Sequence, residues 1–384
     1  MNKVEQLIQQ YCPDGVEYKE LGEMCEVLRG KRLTKKELSD DGDYPVFHGG
    51  LIPLGRYDKY NRKANQTMVI NTGSIGEVVW SSVDFWSSDG TFVVKTPDKI
   101  DDKFLYYFLK TQEPYLKSQK REGGVPTIDR LAVENISIPI PPLPIQQEIV
   151  SILDTFTELE AELEAELEAR KKQYEYYRNE LLTFGDEVEW KTLGEVGEFI
   201  RGKRFVKNDI VSNGVPCIHY GELYTHYKIW AKEAKSFLEP ATAAKLRVAR
   251  PGDVVIVTAG ETIEDIGNAV AWLGESDVVI HDACFAYHHS MNPKYVSYYL
   301  RTNLFRSQIK KHISSGKISS VSAFGLKQAK IPIPPLSEQE RIVGILDKFD
   351  ALVNDISIGL PAEIDARRKQ YEYYRNKLLT FKRA

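Results

Sequence analysis

The stretch "ARKKQYEYYRNELLTF" at residues 169–184 returns as "ARRKQYEYYRNKLLTF" at 366–381, changed only at Lys171 against Arg368 and Glu180 against Lys377. A near-identical basic, tyrosine-rich helix carried twice points to an internal duplication, and the rest of the chain extends it. "GVEYKELGEMCEVLRGKR" (15–32) matches "EVEWKTLGEVGEFIRGKR" (187–204), and "ISIPIPPLPIQQEIVSILDTF" (136–156) matches "AKIPIPPLSEQERIVGILDKF" (329–349). Shorter echoes lie between them: "YPVFHGG" (44–50) against "VPCIHYG" (215–221), and "FLYYFLKT" (104–111) against "YVSYYLRT" (295–302). Each half has one order: a variable block, a Pro-rich strand exit, then a long helix. The helices are almost the same and the blocks have diverged, so two copies of one frame hold two different inserts.

The frame reads as coiled coil. From 145 to 184 the apolar residues fall mostly at steps of three and four, with Ile149, Phe156, Leu159, Leu163, Leu167, Tyr174 and Leu181 as seam positions. Leu159, Leu163 and Leu167 lie in "LEAELEAELEAR", a four-residue repeat that inserts a stutter. Forty residues of helix are about 60 Å long. In the second copy Ile342, Ile345, Phe349, Leu352 and Ile356, followed by Tyr371 and Leu378, continue the seam. There "SIGLPAEI" (357–364) predicts a break near 359–361, at Gly359 and Pro361. The offset between copies is 193 residues before this point and 197 after it, so the second arm carries four more. Tyr177 and Tyr374 share the seam spacing, whereas Tyr176 and Tyr373 point elsewhere.

The variable blocks read as mixed α/β. "MVIN", "EVVW" and "TFVVKT" are strands of the first; "DVVIVTA", "NAVAWL" and "DVVIHDACFAYH" are strands of the second. The expected organisation is an N-terminal helix (1–13), a first block (14–144), a central helix (145–184), a second block (185–337) and a C-terminal helix (338–384).

With 42 % hydrophobic and 28 % charged residues, the composition is that of a water-soluble globular chain. No apolar run reaches the ~20 residues needed to span a bilayer, and "MNKVEQLIQQY" lacks the apolar core of a signal peptide. Four scattered cysteines without a CxxC pair predict reduced thiols and a cytoplasmic setting. Net charge is −4, so a nucleic-acid partner has to be met by local patches or by basic partner subunits.

Such patches recur. Arg29, Lys31 and Arg32 in "LRGKR", and Arg201, Lys203 and Arg204 in "IRGKR", gather cations around a glycine after a strand. Retained in blocks that otherwise diverged, they read as DNA contacts rather than solvated turns. "KREGGVPTI" (120–128) offers Arg121, Gly123 and Thr127; "HISSGKISSV" (312–321) offers Ser314, Lys317 and Ser319. Either loop suits phosphate oxygens or simply connects elements. Ser74 in "NTGSIG" belongs to a further candidate surface loop, and the equivalent His48 and His219 are either DNA contacts or satisfied structural imidazoles.

Enzymatic motifs are weaker. His281, Asp282, Cys284, His288 and His289 fit no standard zinc spacing, and strand alternation would divide them between two faces. "NPKY" (292–295) lacks the second proline of an adenine-methyltransferase motif; Asn292 reads as an N-cap with Pro293 opening a helix. No phosphate-binding GxxxxGK[ST] occurs.

The duplicated "IPIPPL…ILD-F" segments, the paired "RKQYEYYRN-LLTF" arms and "ISIGLPAEI" together resemble the specificity subunit of type I restriction-modification systems, across essentially the whole chain. The resemblance implies an α+β protein: two α/β target recognition domains joined by two long helices that pack as an antiparallel, pseudo-twofold coiled coil. It implies that the chain has no catalysis of its own. The partners implied are double-stranded DNA, two modification (methyltransferase) subunits, with which Tyr176 and Tyr373 could make contact, and restriction subunits. S-adenosylmethionine, ATP and magnesium are then expected on those partners, and no cofactor or metal on this chain. Two unlike domains about one helical turn apart imply an asymmetric bipartite target. Two alternatives stand beside this: a stand-alone adenine methyltransferase, which needs a cofactor-binding unit not visible here, and a protein-only coiled-coil adaptor, which leaves the basic turns unexplained.

Overall fold

A computed structural model describes residues 3–121, 126–260, 262–314, 316 and 318–384. The chain forms two compact units. One comprises Met1–Glu164 with Glu363–Ala384, and the other Ala165–Ala362. Each copy of the long helix is therefore divided between the units, and each unit combines the early part of one arm with the late part of the other.

In the first unit the central sheet is antiparallel, with strands ordered Glu26–Arg29, Thr91–Lys95, Gln66–Ile70 and Val78–Ser81. Its apolar runs are continuous because both faces are covered. Val69, Val78, Phe92 and Val94 enter the main core, whereas Met68, Ile70, Val79 and Val93 pack with Phe47 and Phe85 on the opposite side. A second sheet joins Gly55–Tyr57, Tyr44–Phe47 and Trp86–Ser87. Tyr18–Glu20 pairs with Ser137–Pro139, the Pro-rich exit from the block. The helix Lys3–Tyr11 contributes Val4 to the same core as Ile145 and Leu378.

The second unit repeats the plan with more strands. Its main sheet is ordered Gly197–Arg201, Cys284–His289, Val254–Val257, Ala269–Trp272, Trp230–Ala231. Val254, Ile256, Ala269 and Ala271 face one core, and Val255, Val257, Val270 and Trp272 another. The run "DVVIHDACFAYH", expected as one strand, is two. Val278–Ile280 belongs to a separate five-stranded sheet, and Cys284–His289 to the main one. The corner between them is closed by Cys284 N–H donating to the His281 carbonyl at 2.9 Å.

The central helix runs Leu143–Leu181, starting earlier than 145 because the Pro142 carbonyl already accepts the Ile145 amide at 2.9 Å, and ending before 184 in a tightened turn in which the Thr183 amide donates to the Glu180 carbonyl at 3.2 Å. The C-terminal arm is two helices, Leu336–Asn354 and Leu360–Leu378. The break thus spans 355–359 rather than 359–361. The Asp355 carboxylate accepts the Ser357 amide at 2.7 Å, and a Cβ on Gly359 would stand 2.4 Å from the Ala351 carbonyl, so the turn folds tightly over the helix end. Pro361 opens the next helix, where its fixed φ is favourable.

Within each unit the arms pack antiparallel. In the first, Ile145, Ile149 and Leu153 are fully buried in one core with Leu378, Leu379 and Phe381; farther along, Phe156 stacks on Tyr374 (5.6 Å, 24°) and lies 6.4 Å from Tyr371; beyond it Arg368 bonds Glu160 and Glu164. In the second, Tyr177 stacks on Phe349 (5.4 Å, 25°), the Tyr174 hydroxyl donates to Asp350 at 3.3 Å, and Leu182 packs with Ile342 and Leu346. Leu167 and Leu181 are partly buried against that core. Three seam expectations need correction. Ile356 is 82 % exposed, because it lies in the break between the two C-terminal helices and not on either of them. Leu159 is 42 % exposed: residues spaced by four advance about 40° per step around the helix, so the row Leu159, Leu163, Leu167 cannot keep to one seam. Leu352 is 37 % exposed, since the buried stripe uses Leu346 and Val353, the positions next to Ile345 and Leu352. Tyr176 and Tyr373 are exposed. Among the described residues no helix is long and apolar enough to cross a membrane.

Candidate nucleic-acid interface

The glycine of each basic turn serves close packing. A Cβ on Gly30 would stand 1.9 Å from the Ser88 carbonyl, and one on Gly202 would stand 2.1 Å from that of His281. The turn is pinned to the facing segment: Gly30 N–H donates to Thr91 (3.1 Å) and Lys31 N–H to Ser87 (2.9 Å) in the first unit, Gly202 N–H to Cys284 (2.9 Å) and Lys203 N–H to Ile280 (3.3 Å) in the second. The backbone is held, and the long cationic side chains project outward.

In the first unit Arg29 and Arg32 join Lys35, His48, Thr72 and Asp89 around an open cleft of about 500 Å³. Arg29, Lys31 and Arg32 are exposed and make no ion pair among the described residues, so their charges are available to an anion. His48 is partly exposed, with Nδ1 3.4 Å from Asp89 Oδ1. Ser74 is exposed, and its amide donates to the Gly49 carbonyl at 2.8 Å, which ties its loop to the His48 loop. Thr127 bridges to Thr72 and to Arg121, bringing these described residues of the "KREGGVPTI" segment to the same side. Arg121, however, is ion-paired with Asp129, so its charge is already compensated; Lys120, beside the Thr72–Gly73 surface, makes no ion pair among the described residues. Gly123 lies outside the described residues.

The second unit rebuilds the turn in different surroundings. Arg201 Nε donates to the Asp282 carbonyl (3.0 Å), Lys203 Nζ to the Lys245 carbonyl (2.9 Å), and Arg247 to the Arg201 carbonyl (3.0 Å); Arg204 is exposed. His219 is 7 % exposed, which removes it as a direct contact. Its ring lies 4.7 Å from His281 and 4.6 Å from Tyr220, with Phe205 against both imidazoles. Burial pushes the His219 and His281 pKa values below the ordinary imidazole value, so both are neutral near pH 7. Ser319 is also corrected: it is buried in the strand Ser319–Val321, paired to Gly260. Ser314 is exposed and bonds Ser320 Oγ at 3.1 Å, and Lys317 lies outside the described residues. The Thr258 amide donates to Ala283 and its carbonyl accepts from Val321, both at 2.9 Å, so this hairpin adjoins the Asp282 turn as the Thr127 segment adjoins Thr72.

Among the described residues no group of three or more His, Cys, Asp or Glu is arranged to hold a metal ion. Cys284 is fully buried, His288 bonds Asp253 at 2.7 Å, and the Asn292 side chain caps a helix by accepting from the Lys294 and Tyr295 amides. The arrangement offers exposed cations and polar side chains to an anionic or hydrogen-bonding ligand. Lys35, Thr72, Asp89, Lys120, Arg247 and Asp282 were not singled out as contacts from sequence. Thr72 and Lys120 lie inside loops quoted from the sequence, "NTGSIG" and "KREGGVPTI", and Asp89 and Asp282 carried a signal of their own, as acids at matching places in "SSDG" and "IHDA".

Comparison with known proteins gives a consistent result. Residues 13–169 and 185–366 each match the type I restriction modification DNA specificity domain. The specificity subunit of the type I restriction enzyme EcoR124I/EcoR124II from Escherichia coli is 32 % identical, the match covering 95 % of this chain and 94 % of that protein. In fold, the chain resembles the S subunit of a type I restriction-modification system from M. genitalium (19 % identity, TM-score 0.56, 96 % and 97 % of the two chains). It also resembles a chain from structural work on complex assembly and conformational transition of a type I system (18 % identity, TM-score 0.65, 96 % and 98 %).

Proposed function

The chain belongs to the type I restriction-modification DNA specificity family, and on that premise we propose that it reads an asymmetric, bipartite duplex target with one recognition block per half-site. It is the non-catalytic, sequence-specifying component of such a system. The observation that carries the finer reading is the same cationic turn built twice, each time pinned to an Asp-bearing corner, among neighbours that differ: Ser88 and His48 in one block, His281 and Tyr220 in the other. Equal turns would supply phosphate anchoring; unlike neighbours would read unlike bases. Two modification subunits on the helical frame would methylate adenine, with S-adenosylmethionine bound to them, and restriction subunits would bring ATP and magnesium. Basic surface on those partners would offset the net charge of −4.

The test is a pair of double variants, Arg29→Ala with Arg32→Ala and Arg201→Ala with Arg204→Ala, assayed with the modification partner. Each should weaken duplex binding and flatten its salt dependence, while the methylated motif keeps both half-sites. Unchanged binding in both would sink the interface. Inserting one "LEAE" unit into the central helix adds about 6 Å and should change the gap between half-sites without changing either; an active variant with the old gap refutes the helix as ruler.

A further inference from the structure

An acid on a surface that meets phosphates needs a reason, because it repels the backbone its neighbours attract. Each recognition block carries one at the same place. Asp89 is the first central residue of a turn in which the Ser88 carbonyl accepts the Thr91 amide at 3.1 Å; Asp282 is the first central residue of a turn in which the His281 carbonyl accepts the Cys284 amide at 2.9 Å. Both turns are pinned from behind by the basic Gly-Lys-Arg segment, so the carboxylates stand on fixed backbone.

Neither carboxylate is there to hold the cations. Asp89 lines the cleft with Arg29, Arg32 and Lys35, yet among the described residues its Oδ1 accepts from the Ser88 hydroxyl at 3.1 Å and lies 3.4 Å from His48 Nδ1, not against any of those cations. Arg201 reaches Asp282 but donates to its main-chain carbonyl, and the nearby His281 Nδ1, 3.1 Å from Asp282 Oδ1, is taken up in accepting the Ala283 amide. The side chains are 31 % and 36 % exposed, which leaves acceptor oxygens open to a ligand. The groups of a duplex that can donate to a carboxylate are the exocyclic amines of its bases, foremost cytosine N4.

We propose that Asp89 and Asp282 are base-reading carboxylates, each selecting an amine-bearing base in its own half-site. The inference rests on the proposed DNA-reading function and names the residues that execute it. Replacement of Ser88 by His281 at the preceding position gives the two carboxylates different neighbours, and so lets the same chemistry select at different positions of the two half-sites.

The experiment selects bound duplexes from a randomised library with the full chain in complex with its modification partner, comparing wild type with Asp89→Asn, Asp89→Ala, Asp282→Asn and Asp282→Ala. Each Asp89 variant should relax or shift preference at one base pair of one half-site, by roughly 5- to 100-fold, and each Asp282 variant should do so in the other. Binding to unrelated duplex should be equal or tighter, because a negative charge has been removed. An unchanged motif in all four variants overturns the proposal, and so does loss of all binding in a variant whose melting curve is unchanged. Absence of duplex selection by the wild type would instead defeat the DNA-reading function itself.

Discussion

Gln146 and Gln339 make the same buried bond in the two copies: Gln146 Oε1 accepts the Asp101 amide at 2.8 Å, and Gln339 Oε1 accepts the Asn292 amide at 2.9 Å. Asp101 and Asn292 are themselves the N-caps of equivalent helices, Asp102–Thr111 and Pro293–Tyr299. Each glutamine therefore joins a long helix to the point where a recognition block begins its own helix. A second clasp follows on the same helices. Lys103 and Tyr107 bond Asp154, and Lys294 (2.7 Å) and Tyr298 (2.8 Å) bond Asp347.

Truncation of these glutamines should be costly. Gln146 Nε2 also donates to Lys99 (3.0 Å) and Pro141 (2.7 Å), so Gln146→Ala takes the partner from three backbone groups, the Pro141 carbonyl among them buried. The expected loss is about 2–4 kcal/mol. Gln339→Ala, with the Asn292 amide and the Pro334 carbonyl at stake, should cost somewhat less. Denaturant unfolding of the two variants tests the order, and a loss below about 0.5 kcal/mol in both would contradict the role.

The antiparallel seam separates two kinds of contact. Arg368 bridges Glu160 and Glu164, but the groups are solvent-accessible, so Arg368→Ala should cost less than about 1 kcal/mol. Leu153 is fully buried among Ile149, Leu378 and Phe381, and Leu153→Ala should cost about 2–4 kcal/mol. Added salt should erase the first effect and leave the second. Equal losses would mean that the ion pairs carry more of the arm packing than their exposure allows.

The duplication was readable because it is written in residue identity, and the antiparallel arms followed from the resemblance it carried. Burial within the arms was harder. Periodicity alone marks Ile345 and Leu352 as well as Leu346 and Val353, and only the packing of Leu336–Asn354 against the second recognition block selects the latter pair. The cleft was legible in part. A recurring Gly-Lys-Arg announces cations, but Thr72 and Asp89 reach it through sheet pairing of strands distant in sequence. His219 misled because its equivalent, His48, is open: the exchange of Ser88 for His281 builds a ring cluster that covers one imidazole and has no counterpart over the other.

Thiol chemistry gives an independent check of the two cores. Burial pushes Cys25 and Cys217 up to about 12, and pushes Cys284 higher, with Asp102, Glu222 and Asp282 adding to the effect in turn. Cys12 is partly exposed and only raised. A native titration with a disulfide reagent at pH 8 should modify Cys12 slowly and spare the other three, while in guanidinium all four of the sequence react. Rapid native reaction of Cys217 or Cys284 would show that the second unit opens.

Acid should undo the second unit before the first. His48 is the one histidine of the seven in the first unit; the other six lie in 165–362. Burial holds His289 down to about 4, against the pull of Asp253 and with added push from His288, and burial also lowers His219 and His281. Folded pKa values below the unfolded value near 6.5 mean that the unfolded chain binds more protons in this window. Stability is then full above about 6.5, falls as pH drops, and levels off near 4, with His289 alone contributing on the order of 3 kcal/mol by the end. Between pH 7 and 5, hydrogen exchange should lose protection at Val254–Val257 while Gln66–Ile70 in the first unit stays protected. His289→Gln, which keeps an acceptor for the Met291 amide, should flatten this dependence. If both strands open together, or if the variant retains the wild-type slope, the buried imidazoles are not the cause.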